Sequence, residues 1–291
     1  MTPGGSATRV VRTAVRYLLV FVAGFLFFSF VSFWLAVRPP RLTVPIGLGD
    51  YGLRAEEITF AADDGVRLSA WLIPQPGAPA VILLHGYPAE RSDMLPIAAT
   101  LHPRFTTLVV DLRYFGKSGG RVTTLGARER GDLKRAIDFL AGRGFPAVGV
   151  FGFSLGGAVA LVTAAEDPRI RAVAAYGMFS DLRVLGRELY GWLWVLKYPL
   201  VELMVLWGRL FLGVDLTSPA PVAAARGLAT PVLLIHSRED EQIPFRHAER
   251  LREALAGSRG ADFHVMERGR HGQLPADFAA RLTDFFARHL R

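Results

Sequence analysis

The 291-residue chain contains no cysteine. Disulfide bonds, zinc sites with thiolate ligands and a cysteine nucleophile are therefore excluded. A chain of this length buries enough apolar surface to fold without disulfide bonds, so the absence does not identify a redox compartment. One large domain with a short appendage suits the length, because α/β domains often exceed about 200 residues.

Acidic residues and lysine are also scarce. The chain has 26 Asp and Glu against 34 Lys and Arg, which leaves a net charge of +8, and its only lysines are Lys117, Lys134 and Lys197. The arginines are scattered and form no compact basic run, so we expect no nucleic-acid partner. An anionic membrane surface is the partner that this excess of positive charge favours.

One long stretch lacks charge altogether. Tyr17–Val37 is a 21-residue apolar run, which as a helix would be about 31 Å long and would cross the core of a bilayer. It predicts a single transmembrane helix over residues 17–37, after a basic and disordered tail over residues 1–16. A cleaved signal peptide is the alternative, but the run is too long and Leu35–Arg38 is a poor cleavage site.

The charges that flank this run predict its orientation. Arg9, Arg12 and Arg16 precede it without an acidic residue, whereas Asp50 lies among the arginines that follow it. The excess of positive charge on the cytoplasmic side of membrane helices favours a cytoplasmic N-terminus. The sequence therefore predicts a single-pass membrane protein whose main domain is extracytoplasmic.

The rest of the chain alternates apolar strands with helices. Residues 38–56 form a linker, and residues 57–291 form one domain. Strands are predicted at Glu57–Ala62, Val66–Ile73, Ala80–Leu84, Thr106–Val110, Ala147–Phe151, Ile170–Tyr176, Pro231–Ile235 and Asp262–Met266, and helices at Ala127–Ala141, Arg246–Leu255 and Gly272–Leu290. This alternation indicates an α/β fold with a mostly parallel sheet, whose ligands bind at the carboxyl ends of strands.

The interval of residues 177–227, between two predicted strands, is far longer than an ordinary crossover. Its middle, Leu189–Leu212, is rich in aromatic and aliphatic residues and poor in charge. It predicts a helical cap insertion that suits contact with lipid or an acyl chain. Ordinary core packing is the alternative, and a second transmembrane span is disfavoured because Pro199, Glu202 and Gly208 interrupt it.

The segment Gly152-Phe153-Ser154-Leu155-Gly156 lies between a predicted strand and a run of small residues that predicts a helix. In this context Gly-x-Ser-x-Gly indicates a nucleophile elbow, a strained turn that holds the Ser154 hydroxyl clear of the backbone. The glycines let strand and helix approach closely. Because the pattern also occurs by chance, the prediction depends on a base, an acid and an oxyanion hole elsewhere.

A base and an acid follow later strands. Among the seven histidines, His271 falls in the loop between the last predicted strand and the last helix, where an imidazole can reach a serine. Asp240 follows the preceding strand and is our choice for the group that orients the imidazole. Chemistry alone does not exclude its neighbours Glu239 and Glu241 as the acid.

An oxyanion hole needs two backbone donors. The N–H of Leu155, directly after the serine, is one of them. The other is expected in the loop after Ala80–Leu84, where Tyr87 is favoured because Pro88 has no N–H to donate. This set of groups implies no metal and no organic cofactor.

These residues together resemble the serine α/β-hydrolase family, in particular its membrane-anchored hydrolase-domain proteins and its serine-aminopeptidase-like, lysophospholipase-like branch. The matching segments are Trp71–Pro74, His85-Gly86, Asp111–Gly119, Gly152–Gly156, Asp240–Pro244 and Gly269–Gly272. The resemblance implies the α/β-hydrolase fold, and the chain order Ser154, Asp240, His271 is the family's order. It also selects Asp240, because the family places an aspartate four residues before a proline.

The resemblance implies a membrane-anchored serine hydrolase that cleaves carboxylic esters through a Ser-His-Asp triad and an acyl-enzyme. Small-molecule or lipid esters with acyl chains are the expected substrates. A serine aminopeptidase or acyl-peptidase stays open, as does a non-catalytic binding protein with the same fold. No oligomeric state is predicted.

Overall fold

The computed structural model describes residues 4–258 and 260–290. The strands in this part of the chain are β1 Glu56–Ala61, β2 Arg67–Ile73, β3 Ala80–Leu84, β4 Thr106–Asp111, β5 Val148–Phe153, β6 Ile170–Tyr176, β7 Val232–Ser237 and β8 Ala261–Met266. The α-helices are α1 Gly4–Val37, α2 Leu95–Leu101, α3 Glu129–Gly142, α4 Leu155–Ala164, α5 Leu182–Leu189, α6 Lys197–Trp207, α7 Pro221–Ala225, α8 Arg246–Ala254 and α9 Phe278–His289.

The strands of the described residues form one eight-stranded sheet in the order β1-β2-β4-β3-β5-β6-β7-β8. A tight turn that ends at Gly65, with φ at +77°, joins β1 to β2 and makes them antiparallel. β2 also runs antiparallel to β4, and every pair from β4 to β8 is parallel. The predicted α/β fold with a mostly parallel sheet is confirmed, and the carboxyl ends of its parallel strands share one edge.

Helices cover both faces of the sheet. β3 is buried along its whole length, as expected for a parallel strand whose sequence is an unbroken apolar run. One face packs on α3 and α4 through residues such as Leu133 and Val159, and the other face packs on α2 and α9 through Leu95 and Phe285. α2 was not predicted, and α9 begins later than the predicted Gly272, because Gly272–Asp277 forms the loop after β8.

The N-terminal helix is longer than the sequence predicts. We expected residues 1–16 to be disordered, but α1 begins at Gly4, so the prediction is wrong for the described part of that tail. Met1–Pro3 lie outside the described residues. Once the apolar run has formed a helix, adding a turn without proline costs little, because nucleation is already complete. Within α1, Thr8–Val37 is long and apolar enough to cross a membrane, and most of it is exposed.

The interval between β6 and β7 is helical, in line with the expected cap insertion, and contains α5, α6 and α7. The last turns of α1 pack on this cap. Phe33 and Val37 of α1 are fully buried with Leu216 of the cap. The cap and the end of the N-terminal helix therefore form one packed unit above the carboxyl edge of the sheet.

Candidate active site

Ser154 occupies a strained turn between β5 and α4. Its backbone has φ at +50° and ψ at −112°, a conformation that residues other than glycine rarely adopt. Glycines make the turn possible: a Cβ added at Gly152 would come within 2.3 Å of the Gly156 backbone, and one added at Gly156 would come within 2.4 Å of the Leu84 carbonyl oxygen. The Gly-x-Ser-x-Gly segment thus has the strand, turn and helix geometry of a nucleophile elbow.

His271 follows β8 in a loop that lies against the elbow. Its ring is 4.7 Å from the ring of Phe153, centroid to centroid, and Phe153 directly precedes Ser154. Its Nδ1 is 2.7 Å from Asp240 Oδ2. This hydrogen bond makes Nδ1 the donor and leaves Nε2 as the nitrogen that can accept a proton from a serine.

Asp240 is held from two directions. Its Oδ1 accepts the N–H groups of Gln242 at 3.0 Å and Ile243 at 2.7 Å, and its Oδ2 accepts His271. Burial alone would raise the pKa of Asp240, but these hydrogen bonds outweigh it and hold that pKa below its usual value. The carboxylate therefore stays ionised and fixes the imidazole in one orientation.

The acidic neighbours of Asp240 have other contacts. Glu241 accepts the backbone N–H of His271 at 3.1 Å, so it positions the loop and does not contact the ring. Glu239 is exposed and has no hydrogen bond to His271 among those that the described residues make. The sequence did not distinguish these three acids by chemistry, whereas the structure pairs Asp240 with the imidazole.

The predicted residues Ser154, His271 and Asp240 are brought to one edge of the sheet. Among the hydrogen bonds of residues 4–258 and 260–290, the ring of His271 makes the one to Asp240 and none to Ser154. Bonds between a nucleophile and its base are often long in unliganded enzymes and tighten when substrate binds.

The two predicted oxyanion donors lie beside the serine. Leu155 is the first residue of α4, so its N–H has no acceptor within the helix. Tyr87 lies in the turn after β3, and this turn approaches the elbow so closely that a Cβ at Gly86 would be 3.2 Å from Ser154 Cβ. Both residues line the same cavity as Ser154.

This cavity has a volume of about 510 Å³, within the usual range for small-molecule sites. Its walls are mostly apolar and come from the cap, from the elbow and from α1. None of the lining residues is acidic. They are Ser32, Leu35, Ala36, Tyr87, Leu125, Ser154, Leu155, Phe179, Leu182, Leu185, Gly186, Leu189, Tyr190, Val201, Met204, Val205, Leu216, Thr217, Gln242 and Ile243.

Two other histidines at strand ends have structural contacts. His85 Nδ1 donates to the Gly86 carbonyl oxygen at 2.7 Å, and its Nε2 accepts the Leu112 N–H at 3.0 Å. Burial lowers the pKa of His85 to about 4. His236 Nε2 donates to the Ile243 carbonyl oxygen at 2.8 Å, which braces the loop that carries Asp240. Both rings are buried, and neither lines the cavity that contains Ser154.

Sequence reasoning missed the wall that α1 contributes. Ser32, Leu35 and Ala36 line the cavity, although the apolar run was interpreted only as a membrane span. The signal was present, because Ser32 and Ala36 are small residues spaced four apart on one helical face among large ones. The contact of the Phe153 ring with His271 and the bond of Glu241 to the His271 backbone were also missed. No cluster of three or more His, Asp or Glu side chains that could hold a metal ion occurs among the described residues.

Comparisons with known proteins agree with the fold. A family model described as the α/β-hydrolase fold matches residues 79–198. The uncharacterised protein YfhR of Escherichia coli O157:H7 is 30% identical over 212 residues, which is 68% of this chain and 67% of YfhR. The α/β-hydrolase domain-containing protein WAV2 of Arabidopsis thaliana is 27% identical over 219 residues, 71% of this chain and 68% of WAV2.

Solved structures lead to the same fold. An esterase of Pyrococcus furiosus superposes with a TM-score of 0.72 at 25% sequence identity, covering 88% of this chain and 99% of the esterase.

Proposed function

We propose that this chain, which belongs to the α/β-hydrolase family, is a membrane-anchored serine hydrolase. Its proposed substrates are carboxylic esters of acyl or lipid type. The observation that carries the proposal is the strained Ser154 at the floor of an apolar cavity, next to an imidazole that is hydrogen-bonded to a buried carboxylate.

In this mechanism Ser154 Oγ attacks the ester carbonyl carbon while His271 Nε2 takes the hydroxyl proton. Asp240 stabilises the imidazolium that results, and the N–H groups of Leu155 and Tyr87 bind the oxyanion. Collapse of the tetrahedral intermediate breaks the ester C–O bond, and the imidazolium protonates the departing alcohol. A water molecule, deprotonated by His271, then attacks the acyl-enzyme and releases the carboxylic acid and Ser154.

The shape and chemistry of the cavity support an acyl substrate. Most of its wall residues are apolar, and leucine is the commonest of them, which favours an alkyl chain over a charged group. An aminopeptidase needs a carboxylate to bind the amino group of its substrate, and among the described residues no acidic side chain lines this cavity. The structural likeness to the Pyrococcus furiosus esterase also favours ester cleavage.

The contacts of α1 support a retained anchor over a cleaved signal peptide. Val37 accepts the Thr123 N–H at 3.0 Å, and its side chain is buried in one cluster with Phe33 and Leu216. Cleavage near Val37 would remove a helix end that is part of the folded domain. The arginines that precede the apolar run favour an extracytoplasmic position for the domain.

Labelling with a fluorophosphonate probe, which reacts with activated serines, tests the proposal on full-length protein in its membrane fraction. We expect wild type to be labelled and to resist alkaline extraction, and Ser154→Ala to lose the label without leaving the membrane. Ser180→Ala is the matched control, because it removes another buried serine at the edge of the same sheet. Folded wild type that takes no label would favour a non-catalytic binding protein and contradict the proposal.

A further inference from the structure

The last three turns of α1 differ from the rest of the helix in their contacts. From Thr8 to Phe28 most side chains are exposed, whereas Ser29, Phe33 and Val37 are buried. Trp207 of the cap donates its indole N–H to Ser29 Oγ at 3.0 Å. The end of the helix is therefore held by the cap in one orientation.

That orientation turns a second face of α1 toward the catalytic serine. Ser32, Leu35 and Ala36 share a face because they are three and four residues apart, and all three line the cavity that contains Ser154. Ser32 and Ala36 are small, so the space that larger side chains would fill belongs to the cavity. Leu35 lies at the opening, since it lines the cavity and is nevertheless 61% exposed.

The opening lies at the surface of the membrane that α1 would cross. A hydrocarbon core of about 30 Å corresponds to about 20 helical residues, and the uncharged run starts directly after Arg16. A span that begins there ends close to Ala36. Leu35 therefore lies where the hydrocarbon core meets the lipid headgroups.

The cap reaches deeper along α1 than this opening. The Trp192 ring packs edge-on against Phe28, two turns before Ala36, with 6.3 Å between centroids. Trp192 is 72% exposed and Trp194 is 79% exposed. Two turns of helix correspond to roughly 11 Å, close to the depth of about 5–10 Å at which interfacial apolar surfaces insert.

The backbone supports this placement of the cap tryptophans. Trp194 has φ at +51° and ψ at −118°, a strained conformation whose persistence in an exposed segment indicates a function for the projecting side chain. Lys197 follows, with Nζ 5.4 Å from the centre of the Tyr198 ring. A basic side chain beside exposed aromatics is typical of segments that contact lipid headgroups.

From these contacts we propose that the cavity opens into the bilayer between α1 and the cap, and that Ser32, Leu35 and Ala36 form the wall that selects the acyl chain. The substrate is then a long-chain ester drawn from the membrane, and the anchor is part of its binding site. This proposal rests on the proposed ester hydrolase function, which it deepens by assigning the substrate's source and its specificity residues.

Changing the wall tests the proposal. Full-length variants in phosphatidylcholine vesicles are assayed with p-nitrophenyl acetate and p-nitrophenyl palmitate, and the measured quantity is the ratio of kcat/KM for palmitate to that for acetate. We expect Ala36→Phe to lower this ratio at least about tenfold, because the added ring takes the space of several methylene groups. Ala23→Phe makes the same change on an exposed face of α1 and should leave the ratio unchanged.

A second pair of variants tests the wall even if Ala36→Phe does not fold. Leu35→Trp narrows the opening at an exposed position, and Phe27→Trp is its control, because Phe27 is exposed outside the cavity. A lowered ratio in Leu35→Trp alone would support the wall. Ratios within about twofold of wild type in every folded wall variant, or an equal loss in the controls, would overturn it.

Failure of the two proposals can be told apart. Wild type that hydrolyses neither ester contradicts the proposed hydrolase function. Wild type whose turnover requires Ser154, but whose ratio does not respond to the wall variants, retains the hydrolase function and loses only the role assigned to α1.

Discussion

Among the described residues, two arrangements bring together a serine, a histidine and an acid. They differ in whether a ring nitrogen of the histidine remains without a hydrogen-bond partner. In the candidate active site, His271 bonds Asp240 through Nδ1 and keeps Nε2 for the serine. In the second arrangement, His247 Nδ1 accepts both the N–H of Ser180 at 3.1 Å and its hydroxyl at 2.8 Å, while Nε2 lies 2.8 Å from Glu188.

The second arrangement fixes its own protonation state. A backbone N–H can only donate, so Nδ1 of His247 has no proton and Nε2 donates to Glu188. Both nitrogens are thereby used, and Ser180 is fully buried. The hydrogen bonds from Ser180 through His247 to Glu188 connect the segment after β6 to helices α8 and α5, so this arrangement stabilises the fold.

Serine, histidine and acid within hydrogen-bonding distance of one another therefore do not by themselves define a reactive site. Ser154 differs from Ser180 in its strained backbone and in the cavity that it lines. Three predictions separate the two arrangements.

The largest effect is expected for catalysis. Asp240→Asn should lower kcat on a short ester by about 10⁴-fold, because the amide cannot hold the reactive tautomer of His271. This loss corresponds to about 5.5 kcal/mol in the activation barrier. Glu188→Gln should change kcat by less than about threefold, because it removes an acid that bonds a structural histidine. Steady-state kinetics of the purified variants measure both.

Glu239→Gln is the control for the position of the acid, since it alters an exposed neighbour of Asp240. A loss of activity in Glu239→Gln or Glu188→Gln equal to that in Asp240→Asn would mean that the acid is wrongly assigned.

A smaller effect is expected for stability, and here the larger loss is expected in the arrangement of Ser180, His247 and Glu188. His247→Leu should lower the free energy of unfolding by about 3 kcal/mol, because it leaves buried donors of Ser180 and an oxygen of Glu188 without partners. Ser154→Ala should change it by less than about 1 kcal/mol. Denaturant unfolding in detergent measures both values, and equal losses would remove the distinction between the two serines.

The smallest effect is expected in the pH dependence of stability. Burial lowers the pKa of His247 below its ordinary 6.5, even though Glu188 acts to raise it. Below that pH the unfolded chain binds more protons than the folded protein, so the free energy of unfolding should be highest above about pH 6.5 and should fall on acidification.

His247→Gln tests the source of this dependence, because glutamine keeps hydrogen-bonding capacity but does not titrate. One group changes the slope by at most about 1.4 kcal/mol per pH unit. We expect a shallower fall in the variant between pH 7 and pH 5, flanking the ordinary value of about 6.5. Parallel curves for the variant and wild type would show that other groups cause the fall.

The sequence predicted what is encoded locally. The elbow around Ser154 has its strand, turn and helix signals within a short segment, so the prediction of its geometry succeeded. Asp240 could be separated from Glu239 and Glu241 only through the family resemblance, because all three acids follow the same strand. The contact between Glu241 and the backbone of His271 depends on how two loops meet, and no local pattern predicts it.

The apolar run illustrates the same division. Its length and lack of charge predict a helix that can cross a membrane, yet hydropathy carries no information about partners. Packing against Trp207 and Leu216 decides that Ser32 and Ala36 face Ser154. Disorder was wrongly predicted for residues 4–16, because a helix continues past its apolar part once nucleation has been completed.

The sequence by itself determined the fold class, the strained turn at Ser154 and the apolar character of α1, since backbone sterics and hydrophobic periodicity act between near neighbours. The tertiary structure was needed to show that Glu241 holds the loop of His271, which serine is buried among structural contacts and which face of α1 lines the cavity. These outcomes depend on contacts between residues far apart in the chain, and side-chain packing between distant segments leaves no regular pattern in the sequence.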